Sequence, residues 1–402
     1  MVPVNALRLS GALLSMLWVT LIPPGSALGA ETPTPLEAAL QPWVDQGRIS
    51  GAVGLVADRD RVIAVESVGV SDLSTRRPMR SDDLFWIASM TKPITAVCVL
   101  MLADAGKLRL DDPVETYLPE FHGQWLLAED SPARRVLSRP ARAVTLRDLL
   151  THTSGLTGDV PQRPDASLAQ TVSATAREPL QFPPGSRWSY SNPGINTLGR
   201  LVEVVSGLSF PDFVQQRVLN PLGMKNTTFW PTASQEKRLA KSYKADPSGG
   251  LKEVTVFFAD GRPLGDRSRT PKPAGGLFST ASDMARFYQM MLQGGTYRGR
   301  RLLSENAVAE MTRTQTGPLK TGFVDGMSWG LGFQVVKQPL GVTAMLSPGT
   351  FGHGGAYGTQ SWADPVSGRI YILMIQAAGL PNADASELRS AFQAAAAAMP
   401  IR

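Results

Sequence analysis

The chain has 402 residues, a formal charge of +6 and one cysteine, Cys98. One cysteine excludes an intramolecular disulfide framework. Three histidines, His122, His152 and His353, form no His-Glu-x-x-His or Cys/His cluster, which argues against a zinc enzyme. The basic residues are scattered, as at Arg76-Arg77 and Arg134-Arg135, so the charge reads as a solubility feature rather than a nucleic-acid surface.

Residues 1–30 read as a signal peptide. Arg8 precedes an apolar run from Leu9 to Ile22, and Pro23-Pro24-Gly25-Ser26 breaks it. Ala27-Leu28-Gly29-Ala30 offers small residues for cleavage after Gly29 or Ala30. No cysteine follows that could carry a lipid. The expectation is export to a bacterial periplasm or to the medium, with no stable membrane insertion once the segment is removed. The remainder is long enough for two domains, or for one large domain with an insertion.

An amphipathic helix is expected near Pro35 to Gln46. Two strands follow around a turn, Gly51 to Ala57 and Arg61 to Val68, with Asp58-Arg59-Asp60 between them. The chain then reaches Ser89-Met90-Thr91-Lys92, a Ser-x-x-Lys that opens an apolar run from Pro93 to Leu102. A helix that is apolar on nearly every face belongs inside a protein. This one is too short to span a bilayer. On a helix, residues three apart share a face. Serine becomes a nucleophile when a neighbouring base takes its proton. A lysine can be that base if burial disfavours its charge. The ordinary reading of Ser-x-x-Lys is a solvated helix start, and the apolar setting argues against it here.

From Gly106 to about Gly275, Pro and Gly are frequent and the regular pieces look helical: Leu146 to Leu150, Ser167 to Ala176, Ile195 to Ser206 and Phe210 to Val218. A strand is expected at Leu251 to Phe258. A helix capped by Ser279 or Thr280 runs to Gly294-Gly295. Strands return at Trp329 to Val336, Gln360 to Asp364 and Arg369 to Gln376, and an Ala-rich helix spans Ala383 to Ala398. Strands from both ends and helices from the middle predict an α/β (α+β) architecture. Residues 31–106 and 275–402 would form a discontinuous α/β domain around a mostly helical insertion, 107–274. Short turns between strands favour an antiparallel sheet.

Two further stretches are candidate partners for Ser89. Trp188-Ser189-Tyr190-Ser191-Asn192-Pro193-Gly194 reads as a loop. Tyr190 can relay a proton if cations stabilise its phenolate, and Asn192 can bond substrate or Lys92. Phe351-Gly352-His353-Gly354-Gly355-Ala356-Tyr357-Gly358 is glycine-rich, lets backbone approach closely, and has N–H groups that can complete an oxyanion hole. Taken singly, these are a packed tyrosine and a glycine-rich turn. His-Gly-Gly also occurs before the nucleophile elbow of α/β-hydrolases, but no Gly-x-Ser-x-Gly follows Gly355, and Gly207-Leu208-Ser209-Phe210-Pro211 lacks the second glycine. Cys98 reads as core.

In this order the motifs resemble those of the serine β-lactamase and penicillin-binding-protein superfamily, close to class C β-lactamases and family VIII carboxylesterases, over about residues 35 to 400. Ser89-Met90-Thr91-Lys92 matches Ser-x-x-Lys, and Tyr190-Ser191-Asn192 matches Tyr-x-Asn. His353-Gly354-Gly355 stands where many members carry Lys-Thr-Gly. Leu149 to Leu156 and Ala274 to Thr280 are similar to further family signatures. The resemblance implies a β-lactamase/transpeptidase-like fold, an antiparallel sheet flanked by helices with a helical domain beside it. It implies that Ser89 forms an acyl-enzyme and that Lys92 and Tyr190 carry the proton, in an order the sequence leaves open. Asn192 would orient substrate, and the N–H groups of Ser89 and Ala356 would hold the oxyanion. No metal or cofactor is implied.

The departure at His353 bears on substrate. Lysine is a permanent cation, whereas histidine is mostly neutral near pH 7. The expectation is a carboxylesterase on small or short-chain esters with weak β-lactamase activity. The alternatives are a β-lactamase or D-alanyl-D-alanine carboxypeptidase or D-aminopeptidase, and, remotely, a non-catalytic binding protein of the same fold. Oligomeric state is not encoded in any motif.

Overall fold

The structure is a computed structural model and describes residues 1–3, 33–158, 165–256, 261–380 and 383–400. The expected signal peptide lies, apart from its first three residues, outside the described residues. Thr34 to Arg402 form one compact unit.

Its frame is an eight-stranded sheet. The N-terminal part supplies helix α1 (Pro35–Asp45) and strands β1 (Gly51–Ala57), β2 (Val62–Asp72) and β3 (Arg77–Pro78). Helix α2 (Thr91–Asp104) follows, then α3 (Asn192–Ser206) and α4 (Ala281–Leu292). The C-terminal part adds β4 (Met327–Trp329), β5 (Gln334–Val336), β6 (Phe351–Gly354), β7 (Gln360–Asp364), β8 (Arg369–Met374) and helix α5 (Glu387–Ala398). The strand order is β4-β5-β6-β7-β8-β1-β2-β3, and every neighbouring pair is antiparallel. The two ends of the chain join where β1 pairs β8, with Val53 opposite Met374 and Val56 opposite Tyr371.

Both faces of the sheet are covered, so its central strands are apolar on both sides. In β1 and β8, Val53, Leu55, Ile370, Ile372 and Met374 face one core. Their alternates Ala52, Val56, Tyr371 and Leu373 face another, with Leu36 and Leu40 of α1 and Leu388 and Phe392 of α5. This is the period of two expected of a strand. Each fully buried side chain of this size contributes roughly 1.5–3 kcal/mol. Gly54 admits the closest packing, since a Cβ there would lie 2.9 Å from Phe392 and 3.0 Å from Leu40.

Helix α2 is buried at every position from Thr91 to Leu100. It shares the first core with α4 and with Ile195, Leu198, Leu201 and Val202 of α3. The middle of the chain is mainly helical, as its sequence predicts, but it also carries hairpins. Leu126–Ser131 pairs Arg134–Ser138, and Ser242–Ala245 pairs Leu251–Val254. The first hairpin has an exposed, charged sequence with no apolar alternation, so its pattern carried no strand signal. The stretch Trp329 to Val336, expected as one strand, is a hairpin. It breaks at Gly332, which has φ +78°, and a Cβ there would come 2.4 Å from the Cβ of Ala96 on α2. The C-terminal helix starts at Glu387 rather than Ala383, with Ser386 as its cap.

Candidate active site

Ser89 sits in a single helical turn, Ala88–Met90, that runs directly into α2. Within the run from Asp83 to Leu100 it is the one residue that is not buried. Ala88, just before it, has φ +45°, a conformation uncommon for a residue with a Cβ. Neighbouring segments hold that turn. Ile87 N–H donates to Leu277 O at 3.0 Å. The indole N–H of Trp86 donates to Gly275 O at 2.7 Å, and Gln376 donates to Trp86 O at 2.9 Å. Two of these bonds come from the Ala274 to Thr280 signature, which thus buttresses the Ser89 turn.

Lys92 lies one turn along α2 and is fully buried. Its Nζ donates to Ser89 Oγ at 3.0 Å, to Asn192 Oδ1 at 2.8 Å and to Ala274 O at 2.6 Å. An ammonium has three protons, and each has an acceptor here. Nζ also lies 4.7 Å from the centroid of the Tyr190 ring.

Tyr190 and Asn192 flank Ser191, the N-cap of α3, whose hydroxyl accepts from Gly194 N–H at 2.9 Å. A hydrogen bond links the hydroxyls of Tyr190 and Ser89. The protein packed around the phenol, and the nearby negative charge of Asp384, hold the Tyr190 pKa above its ordinary value, against the Ser89 bond. At rest Tyr190 therefore keeps its proton.

The backbone N–H of Ser191 donates to Nδ1 of His152 at 3.1 Å. His152 is fully buried, has φ +59°, and packs on Tyr190 with 4.7 Å between ring centroids. Burial first, then the charge of Lys92, holds its pKa well below 6.5. It is neutral, with its proton on Nε2. In the sequence His152 belongs to no metal-type cluster and to none of the three candidate motifs. The signal that marks it is its position in Leu149 to Leu156, the family-like segment beside the Tyr190 loop.

His353 is on β6 and only 1% exposed. Its Nδ1 lies 2.7 Å from Gly354 O. A carbonyl only accepts, so the proton is on Nδ1. Nε2 is then a bare lone pair, buried without a hydrogen-bond partner among the described residues. Burial, then the charge of Lys92, pushes its pKa down to about 3, so the ring is uncharged at neutral pH. Its ring lies 6.0 Å from that of Tyr190. Behind the strand, Arg389 of α5 is buried, donating to Asp384 at 2.8 Å and to Thr359 O at 2.9 Å.

Gly354, Gly355 and Ala356 were expected to offer N–H groups to an oxyanion. Gly355 does not: its N–H donates to Thr359 O at 2.7 Å, closing the β6–β7 turn. Its place in the site is steric, since a Cβ on it would lie 2.7 Å from Ile87 O and 3.4 Å from Ala88 Cβ. Gly354 pairs Gln360 in the sheet. The turn thus lies against the Ser89 turn, and Ala356 at its tip is exposed. Tyr357 anchors it, edge-on to Trp86 at 4.8 Å.

Serine, lysine, tyrosine and asparagine therefore meet, joined by hydrogen bonds, beside a glycine-rich turn. Among the described residues no group of His, Cys, Asp and Glu could hold a metal ion. No helix of the described residues is long and apolar enough to cross a membrane.

The family model for beta-lactamase matches residues 36–396. Protein Rv1367c of Mycobacterium tuberculosis is 35% identical over 366 residues, 85% of this chain and 89% of that protein. Esterase EstB of Burkholderia gladioli is 30% identical over 373 residues, 85% of this chain and 90% of that protein. The fold is also that of simvastatin synthase from Aspergillus terreus, with a TM-score of 0.77 at 23% identity, over 91% of this chain and 99% of that one. The chain belongs to the beta-lactamase family, and so to the serine hydrolases of the β-lactamase and penicillin-binding-protein superfamily.

Proposed function

We propose that the protein is a carboxylesterase that hydrolyses small, uncharged esters through an acyl-enzyme on Ser89, with at most weak β-lactamase activity. The Ser89 oxygen attacks the ester carbonyl while its proton passes into the Lys92–Tyr190 pair. The competent pair holds one proton fewer than an ammonium plus a phenol. Two such coupled groups titrate together, so the proton is assigned to the pair. The backbone N–H groups of Ser89 and Ala356 hold the oxyanion. The pair then protonates the departing alkoxide, and the alcohol leaves. In the second half the pair takes a proton from water, hydroxide attacks the acyl group, and Ser89 recovers its proton. Asn192 holds Lys92 in place. A signal peptide in residues 1–30, and hence export, belongs to the same proposal and rests on the sequence alone.

The observation that carries the substrate choice is His353. Where many relatives have a lysine, this chain has a buried ring whose pKa is pushed down to about 3. It gives a substrate carboxylate no charge to bind. The guanidinium behind it is committed to Asp384 and Thr359. Losing a charge-assisted hydrogen bond costs roughly 1.5–3 kcal/mol, or about ten- to a hundredfold in binding. β-Lactams and D-alanyl peptides carry that carboxylate, and simple esters do not. The similarity to Esterase EstB supports the same reading.

The test is paired turnover of p-nitrophenyl butyrate and nitrocefin, with Ser89→Ala as control. Ester turnover far above nitrocefin turnover, both lost in the variant, is the expected result. The reverse ratio would make the protein a β-lactamase or peptidase. Activity surviving in Ser89→Ala would remove Ser89 as the nucleophile. No turnover of any ester or lactam would leave the binding-protein alternative.

A further inference from the structure

Phe323 is 45% exposed, although one edge of it is packed. Its ring lies 5.1 Å from Tyr190 and 5.8 Å from Trp188, both roughly edge-to-face. Trp329 stands behind, 5.2 Å from Trp188 and 4.9 Å from His152. An isolated exposed phenylalanine needs no explanation. This one extends an aromatic wall outward from the residue hydrogen-bonded to Ser89. Its position is also set rather than slack. Gly322 before it has φ +80°, and a Cβ there would strike Met327 at 2.6 Å. Gly326 after it has φ +81°, with Gln338 O where a Cβ would go. Thr321 donates to Met327 O at 3.1 Å. A short loop pinned at both sides thus presents an aromatic ring to solvent beside the reacting centre.

The chemistry says which half of an ester meets it. In the esterase reading the acyl carbonyl is fixed by Ser89 and by the N–H group of Ala356 on the β6–β7 turn. The departing oxygen must reach the Lys92–Tyr190 pair to be protonated. The alcohol portion therefore runs along Tyr190, and the next surface outward is Phe323.

We propose that Phe323 is a specificity residue whose open ring face receives a flat, apolar group on the alcohol side of the ester, such as an arylmethyl group. The inference rests on the esterase reading of Ser89 and Tyr190. Covering such a face by stacking is worth about five- to tenfold in kcat/KM.

Two isomeric esters test it. Benzyl acetate carries the ring on the alcohol and methyl phenylacetate carries it on the acyl group, with leaving alcohols of similar acidity. Ethyl acetate is the small reference. Phe323→Ala is expected to lower kcat/KM for benzyl acetate about five- to tenfold, while ethyl acetate and methyl phenylacetate change less than twofold. Phe323→Trp is expected to keep benzyl acetate near the wild-type value. A larger loss on methyl phenylacetate would overturn the assignment to the alcohol side. Equal losses on all three esters, or none, would overturn the specificity role. Failure of the underlying reading would look different: the wild type would then turn over none of the three esters, or Ser89→Ala would still turn over ethyl acetate.

Discussion

Asp384 accepts from the guanidinium of Arg389 at 2.8 Å, and this pair lies directly behind Gly354, where a Cβ would come 3.1 Å from both side chains. The pair is not part of the hydrogen-bonded group around Ser89, yet its charges reach it. Asp384 raises the Tyr190 pKa, and Arg389 lowers that of His353. Removing the negative charge favours the phenolate. Asp384→Asn is therefore expected to move the alkaline limb of the kcat/KM profile for p-nitrophenyl butyrate to lower pH. A limb that stays in place or moves up would show that Asp384 does not act on the proton-carrying pair.

His353 makes stability depend on pH. Its folded pKa is about 3 against an ordinary 6.5. Between those values the unfolded chain binds more protons, so stability rises with pH across the window. It is fully present above 6.5 and is lost as pH falls toward 3, by up to about 1.4 kcal/mol per pH unit. His152, also depressed, adds in the same direction. Urea midpoints at pH 7.5 and 5.0 should fall further apart in the wild type than in His353→Gln. Equal separations would contradict the buried, neutral ring.

Gly355→Ala should close the site. A Cβ would meet Thr359 Oγ1 at 2.0 Å and Ile87 O at 2.7 Å. The first clash is with a side chain and the second with backbone. Ester turnover is expected to fall by about a hundredfold or more, since small displacements at a reacting centre cost that much. Adding Thr359→Ala relieves only the first clash and should not restore it. Recovery in the double variant would mean that the turn does not rest on the Ser89 segment.

His152→Ala removes the acceptor for Ser191 N–H and leaves a void beside Tyr190. An orphaned buried donor plus a cavity costs roughly 3 kcal/mol. The remaining folded protein should show a lower kcat with KM less affected, because the loop that carries Tyr190 and the start of α3 is loosened. Thermal melting with steady-state kinetics checks both. Unchanged stability would mean that the Ser191 bond is dispensable.

Much of the site is local in sequence and was readable for that reason. Ser89 and Lys92 are one helical turn apart, and the apolar run after Pro93 announces that the turn is buried. Tyr190 and Asn192 stand out as a Tyr-x-Asn in a stretch punctuated by Pro and Gly, although that stretch reads as a loop and only the structure makes Ser191 the cap of α3. His353 and its glycines flag a close backbone approach. The rest depends on contacts between distant segments. Nothing near His152 in sequence says that Ser191 will donate to it, and nothing near Arg389 in an Ala-rich helix says that it will lie behind Gly354. The break at Gly332 exists because α2 passes there. Phe323 sits in a loop with no periodicity at all, and only the fold brings it to Tyr190.

The sheet closes where β1 meets β8, strands more than 300 residues apart in sequence. Contacts of such separation are slow to form, because the loop-closure entropy comes before the reward. A chain that emerges from its N-terminus first would carry the β1–β2 hairpin for most of its synthesis with one edge unpaired. Ser89 exists early, but the glycine-rich turn beside it and the strand that seals it arrive in the last tenth or so of the chain. Truncation near the C-terminus should therefore abolish folding of the whole unit, rather than trim a dispensable tail. During that interval the open edge of β1, buried on both faces in the finished protein, is the place where self-association would begin.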